Sequence, residues 1–321
     1  MEALLNHATI QSLGILLFAV LLNALWRWPP ASHPLTLMRY LALRMAHKVC
    51  PKPSDGPLQH KISGSLGTFM LVAPISVALA ILVSMAQYPL FFHAIIMVVV
   101  LDFHQVRYQY KQVLRTIGQH KKMLARENVA AMVARDCDTL TDVGIAKAAI
   151  ESLLLKFYYL YCGVIFWFIA AGPVAALVYR LLLDISWQWY TRIPRYRLFG
   201  RPVRALVRLL RFFPALFGAV IMLMVSHAPQ AIRSMNDARA KDMTSRLLAL
   251  FGGGLGIELG GPAYYGKQRL NQVRVGGSRQ VRYSDMVYAK RAVYRAMILL
   301  VTLVSLGMLV MAALNPQLTV S

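Results

Sequence analysis

What constrains this chain most is a set of apolar runs that a soluble core does not need. No Asp, Glu, Lys or Arg occurs between Leu4 and Trp26, Thr68 and Ala86, Phe212 and Ser226, or Met297 and Leu314. A transmembrane helix takes roughly 20 apolar residues, and in lipid the backbone of such a run is satisfied only as a helix or a closed barrel. Only 15% of the 321 residues are charged, against about 25% in soluble domains, and the mean hydropathy is +0.52. The chain reads as an all-α polytopic membrane protein, a single integral domain over residues 1–321 with five or six apolar helical segments. These fall near 4–26, 68–86, 89–103, 153–183 (broken at Gly172-Pro173), 212–227 and 297–314. The run at 89–103 is about 20 Å long as helix and has to borrow flanking residues to cross.

The formal net charge is +22, and the basic residues sit between the apolar runs. That is the positive-inside pattern, with attraction to anionic lipid head groups. No basic stripe interleaved with aromatics marks a nucleic-acid surface, so that partner is excluded. The first run has no Lys or Arg before it, Arg27 just after it and no small-residue cleavage site. It predicts an uncleaved span with the N-terminus outside. Residues 27–66 read as a polar, proline-rich loop, and 105–151 as a soluble-looking helical stretch with a helix start at Thr141. Arg201, Arg204, Arg208 and Arg211 share one helical face, which predicts an interfacial amphipathic helix with its arginines towards lipid phosphates. If all basic loops share one side, the chain crosses an even number of times between Leu153 and Leu183, and Phe212–Ser226 dips in without crossing.

Residues 251–270, FGGGLGIELGGPAYYGKQRL, carry seven glycines. The run is too glycine-rich for a stable helix or a good strand and reads as a shaped loop. Gly261 to Gln268 nearly spells a phosphate-binding loop, but Gln268 stands where a hydroxyl would hold Mg²⁺. Two readings stay open: a connector between helices, or a backbone-lined site for an anionic ligand. Cys50, Cys137 and Cys162 form no CxxC and read as reduced or buried. Asp102 and His104 are the nearest thing to a metal pair, and no metal site is assigned.

ARDCDTLT at 134–141 resembles the GRDT element of the CbiB/CobD membrane proteins of cobalamin biosynthesis, the adenosylcobinamide-phosphate synthases. AIES at 149–152 resembles the first half of their VExxxEN element, and His33-Pro34 their HPV. GGLGIELGGPAYYG at 253–266 is similar to their GALGxxLGGPxxYxG, and Tyr283-Ser284-Asp285 falls where they carry Ser-x-Asp-Asp. The likeness keeps the same order over nearly the whole chain. It implies an inner-membrane ligase that joins aminopropanol or its phosphate to a carboxyl of adenosylcobyric acid, with ATP and Mg²⁺ for activation. It implies Arg135, Asp136 and Glu151 as catalytic candidates. It also implies His33, Tyr179, Gly260, Gly261, Tyr265, Lys267 and Asp285 as residues that bind substrate or nucleotide.

The departures from the family pattern are specific. Leu155 and Lys156 stand for its second Glu and its Asn, Tyr159 for an Asp, and Ser186 for another Asp. Val207-Arg208 replaces an Asp pair, Arg211 an Asn, and Lys241-Asp242-Met243 an SPN. Mg²⁺ is held by hard oxygen ligands, usually carboxylates, so these changes weaken any metal site. The chain also resembles a second branch, the AmpE-type membrane proteins linked to β-lactamase induction, which lack much of the polar set. That branch implies a non-catalytic sensor or signalling protein instead.

Overall fold

Prolines set where the early helices begin. Helices α2 (Pro34–Val49), α3 (Pro57–Met85) and α4 (Pro89–Val100) each carry proline in the first turn, where its missing N–H has no partner to lose. They follow α1 (Ala8–Leu25). His33 caps α2, its Nδ1 accepting the Leu35 N–H at 3.2 Å. The stretch 27–66, expected as a proline-rich loop, is therefore mostly helix. The computed structural model describes residues 7–238, 242–265 and 268–314.

After a short break, α5 (His104–Gly118) extends α4, and the two together make a run long enough to cross. Then come α6 (Lys122–Ala130) and α7 (Asp142–Lys156). Thr141 caps α7 as its position predicts, accepting from the Gly144 N–H at 3.2 Å. A π-helical turn, Phe157–Cys162, leads into α8 (Gly163–Gln188). The break expected at Gly172-Pro173 is there, with Gly172 at φ 82° and ψ −178°. The chain doubles back at that point: the Tyr179 hydroxyl donates to the Tyr159 carbonyl, 20 residues earlier, at 2.5 Å. An unbroken helix would hold them about 30 Å apart. A Cβ on Gly163 would lie 2.4 Å from the Tyr179 oxygen, so the two limbs meet only because Gly163 has none.

Helices α9 (Arg201–Leu210) and α10 (Phe212–Val225) meet at 49°. Then α11 (Ala228–Asp237) and α12 (Met243–Leu255) lead to four short strands. Strand β1 (Glu258–Gly260) pairs antiparallel with β4 (Arg274–Gly276), Leu259 opposite Val275. Between them β2 (Ala263–Tyr265) pairs with β3 (Gln268–Leu270), Tyr264 opposite Arg269. Helix α13 (Tyr283–Leu314) closes the fold. Among the described residues five helical runs are long and apolar enough to cross a membrane, or six if the bent pair counts as one span. Phe18, Phe69, Ile298 and Leu306 are among their exposed apolar side chains, a surface suited to lipid.

Two expectations are corrected here. The first half of the glycine stretch is not loop, because Gly252, Gly253 and Gly254 lie inside α12. A Cβ on Gly253 would fall 2.3 Å from Cβ of Ser234, and one on Gly254 would fall 3.0 Å from Cβ of Ser226. Close packing against α11 and the end of α10 thus outweighs glycine's poor helix propensity. The arginine face of α9 does not all look outward either. Arg201 and Arg208 are exposed beside Leu206 and Leu209, while Arg204 and Arg211 turn into a cavity together with Val207.

Candidate functional site

Three of the singled-out sequence elements are joined by three contacts. Arg135 Nη2 lies 3.2 Å from Glu151 Oε2. The backbone N–H of Gly260 donates to Glu151 Oε1 at 2.7 Å, and that of Asp136 donates to the Tyr264 carbonyl at 2.9 Å. One turn before Glu151 on α7, Lys147 reaches Glu258 Oε1 at 2.5 Å. That hydrogen bond holds the Glu258 carboxyl below its usual range. Gly260 has φ 72°, and a Cβ there would sit 2.5 Å from the Val273 carbonyl oxygen. The loop can therefore present its N–H to Glu151 only with glycine at that position.

Arg135, Glu151 and Tyr265 border a cavity of about 530 Å³. Lys156 and Tyr159 face it from the end of α7 and the π-turn, and Arg39 from α2. Arg180 and Ser186 come from the return limb of the hairpin, Arg192 from the loop after it, and Arg204 and Arg211 from α9. Tyr265 takes a hydrogen bond on its hydroxyl from Arg192 Nη1 at 2.9 Å. The Arg211 guanidinium lies 4.4 Å above the Tyr159 ring, and Tyr159 Oη lies 3.0 Å from Thr244 Oγ1. Arg204 donates to Thr191. Burial, chiefly, and the neighbouring Tyr265 push the Tyr190 phenol up to about 12. Leu155, Lys156, Tyr159, Ser186, Val207 and Arg211, all departures from the family pattern, border this one cavity.

The other predicted site residues fall elsewhere. His33 is buried with Nε2 4.0 Å from Asp102 Oδ2, and Asp102 borders the cavity. Burial lowers the His33 pKa more than Asp102 raises it. Tyr179 packs inside the hairpin and does not border the cavity. Gly261, at φ 104°, supports the loop from outside the cavity wall. Asp285, at the start of α13, is gripped by Arg279 with two contacts of 2.8 Å and by the Arg282 N–H at 2.7 Å. Lys267 lies outside the described residues.

Sequence reasoning did not single out Arg39, Lys156, Arg180 or Arg192 as site residues. For Lys156 and Arg180 a signal existed. Both sit inside an otherwise apolar run, where a charge costs roughly 2.5–3.5 kcal/mol on insertion scales and marks a site.

The acidic groups do not fit Mg²⁺. Glu151 has one oxygen on Arg135 and the other on the Gly260 N–H. Nearby Asp184 is held by Arg39 at 3.3 Å and Arg180 at 3.1 Å. His104 turns Nδ1 to the Asn23 carbonyl at 3.1 Å, so it makes no metal pair with Asp102. Among the described residues no group of three or more His, Cys, Asp or Glu is placed to hold a metal ion. The basic walls, in contrast, suit carboxylates and phosphates.

A family model described as "CobD/Cbib protein" matches residues 16–314. The protein named "Cobalamin biosynthesis protein CobD" in Chromobacterium violaceum is 26% identical over 284 residues, covering 87% of this chain and 91% of that protein. Its namesake in Stutzerimonas stutzeri is 26% identical over 290 residues, 88% of this chain and 95% of the relative. "Probable cobalamin biosynthesis protein CobD" of Pyrococcus abyssi is 27% identical over 204 residues, 64% and 69% of the two chains. No solved structure matches the chain.

Proposed function

The chain belongs to the CobD/CbiB family, and on that premise we propose that it serves cobalamin biosynthesis, joining aminopropanol or its phosphate to a carboxyl of adenosylcobyric acid. The observation that carries this reading is the closure of residues 134–141, 149–152 and 253–265 on one another beside a basic cavity. A cavity of about 530 Å³ takes an amino-alcohol phosphate and one carboxyl-bearing arm, with the corrin macrocycle left outside. Arg135 is oriented by Glu151, and its Nε has no hydrogen-bond partner among the described residues. In this reading it steers the carboxyl towards the amine, and Lys156 and Arg211 hold the phosphate by charge-assisted hydrogen bonds. ATP enters as the activating nucleotide that the resemblance implies, and no step is routed through Mg²⁺.

The test is complementation of a synthase-deleted bacterium whose growth depends on completing cobinamide. Restored growth with this chain, lost in Arg135→Ala, is the expected result. Absent growth with the protein present in the membrane would overturn the joining reaction.

One observation favours a second reading. Lys156, Tyr159, Ser186 and Arg211 replace two carboxylates and two amides of the family pattern, and all four line the cavity. An AmpE-like protein that senses an anion without joining anything would keep such a cavity and fail to complement.

A further inference from the structure

We propose that this cavity binds a diphosphate-type polyanion through guanidinium and ammonium groups alone, with no divalent cation. Seven of the residues that border it are Arg or Lys, and two are Asp or Glu. Of the acidic groups at or just behind the wall, Glu151 pairs with Arg135, Asp102 lies 4.0 Å from His33, and Asp184 is shared by Arg39 and Arg180. The cations left over are Lys156, Arg192, Arg204 and Arg211. Arg192 meets the hydroxyl and ring of Tyr265 and the ring of Tyr190, Arg204 the hydroxyl of Thr191 and Arg211 the ring of Tyr159, and none of the three has an ion pair with a carboxylate among the described residues. Lys156 has no hydrogen bond or ion pair among the described residues.

A second observation points the same way. The Arg180 side chain is 0% exposed and borders the cavity, yet its Nε and Nη2 have no hydrogen-bond partner among the described residues. A buried guanidinium short of acceptors is unfavourable until something supplies them. Four further cations converge on the same space from the end of α7, the loop after the hairpin and α9. Two linked phosphates offer these separated cations more oxygens than a single phosphate does. Arginine's planar fork matches phosphate oxygens two at a time. The role a metal ion has in neutralising a diphosphate is thus filled by side chains, two of which, Lys156 and Arg211, stand where the family pattern carries asparagine.

This inference names the ligand class of the cavity described above and rests on that cavity being the site. Its test uses neither corrinoid nor growth, so it can fail separately from complementation. Inorganic pyrophosphate is titrated into the full-length protein in detergent with excess EDTA, followed by calorimetry and thermal shift. The expected result is saturable, salt-sensitive binding that raises the melting temperature and exceeds the affinity for inorganic phosphate at least tenfold. Arg211→Gln and Lys156→Gln each weaken it at least tenfold. Arg211→Lys, which keeps the charge, retains most of it, and Lys61→Gln, on an exposed turn of α3, leaves it unchanged. Binding that appears only with Mg²⁺, or that survives both Gln variants, would overturn the proposal. Cardiolipin micelles then separate the two sources of such an anion. Displacement of pyrophosphate by cardiolipin identifies a lipid head group, and no displacement identifies a soluble diphosphate.

Discussion

Glu151 holds Arg135 with one carboxylate oxygen, at 3.2 Å, and the backbone N–H of Gly260 with the other, at 2.7 Å. One side chain thus joins the 134–141 loop and the glycine loop to α7. Both partners of the ion pair are mostly buried, with side chains 12% and 13% exposed. Removing one partner of such a pair leaves an uncompensated charge, at a cost of about 3 kcal/mol. Glu151→Ala is expected to lower stability by about that much, and Glu151→Gln by roughly half as much, because the amide oxygen still accepts from Gly260. Denaturant titration in detergent measures both. Two variants as stable as the parent would show that the carboxylate does not join these elements.

Tyr179 has a structural position inside the hairpin, and its hydroxyl bonds the Tyr159 carbonyl. Tyr179→Phe should lose about 1 kcal/mol of stability and keep the parent's pyrophosphate affinity. Gly163→Ala should lose more, on the order of 1–3 kcal/mol for overpacking, since the new methyl would collide with that same hydroxyl at 2.4 Å. A Tyr179→Phe protein of unchanged stability but reduced anion binding would move the hydroxyl into the site.

The membrane architecture was legible because bilayer thickness dictates the length of an apolar run, and that length survives any tertiary arrangement. The elements at 134–141, 149–152 and 253–265 were legible as motifs, but their meeting was not. Two of the contacts that join them come from the backbone N–H groups of Asp136 and Gly260, which every residue other than proline possesses. The row Arg201, Arg204, Arg208, Arg211 gave a helical face without saying what the face meets, since lipid phosphates and an internal cavity demand the same spacing. Gly252 to Gly254 misled for the opposite reason. Glycine's helix penalty is about 1 kcal/mol per residue, and what outweighs it is contact with Ser226 and Ser234, far away in sequence.

Acid should loosen the glycine loop through Glu258. Its carboxyl titrates below the ordinary value because of the hydrogen bond to Lys147, with Arg274 adding to the shift. A depressed folded-state pKa means that the stabilisation is complete above the unfolded-state pKa and is lost as pH falls through the folded one. Stability should therefore decline on acidification below the ordinary glutamate range, and the decline should be shallower in Lys147→Met, whose Glu258 has lost its main partner. Melting temperatures from about pH 6 to about pH 3, spanning the ordinary glutamate range, measure it. Identical acid limbs for parent and Lys147→Met would remove Glu258 as the sensitive group.

Arg39, Arg135, Arg192 and Gln272 come from four separated segments and border one cavity. Because all four border one cavity, the chain is expected to return to the same end of the molecule at each of them. Between Arg39 and Arg135 the chain goes out along Pro57–Met85 and returns along Pro89–Gly118. Between Arg135 and Arg192 it goes out and back through the hairpin that turns at Gly172. Between Arg192 and Gln272 the bent pair α9–α10 has to enter and return without a net crossing. Only α1 and α13 then cross singly, which puts both of their outer ends opposite the cavity. With the basic loops at the cavity end, the positive-inside bias predicts that this end faces the cytoplasm. A reporter fused after Leu314 should read periplasmic, and one near Lys121 cytoplasmic. Single cysteines at Lys121 and Val273 should be labelled from the same side of the membrane. Labelling of these two from opposite sides would break the shared-cavity argument, and labelling of both from the periplasm would invert the orientation while leaving the fold intact.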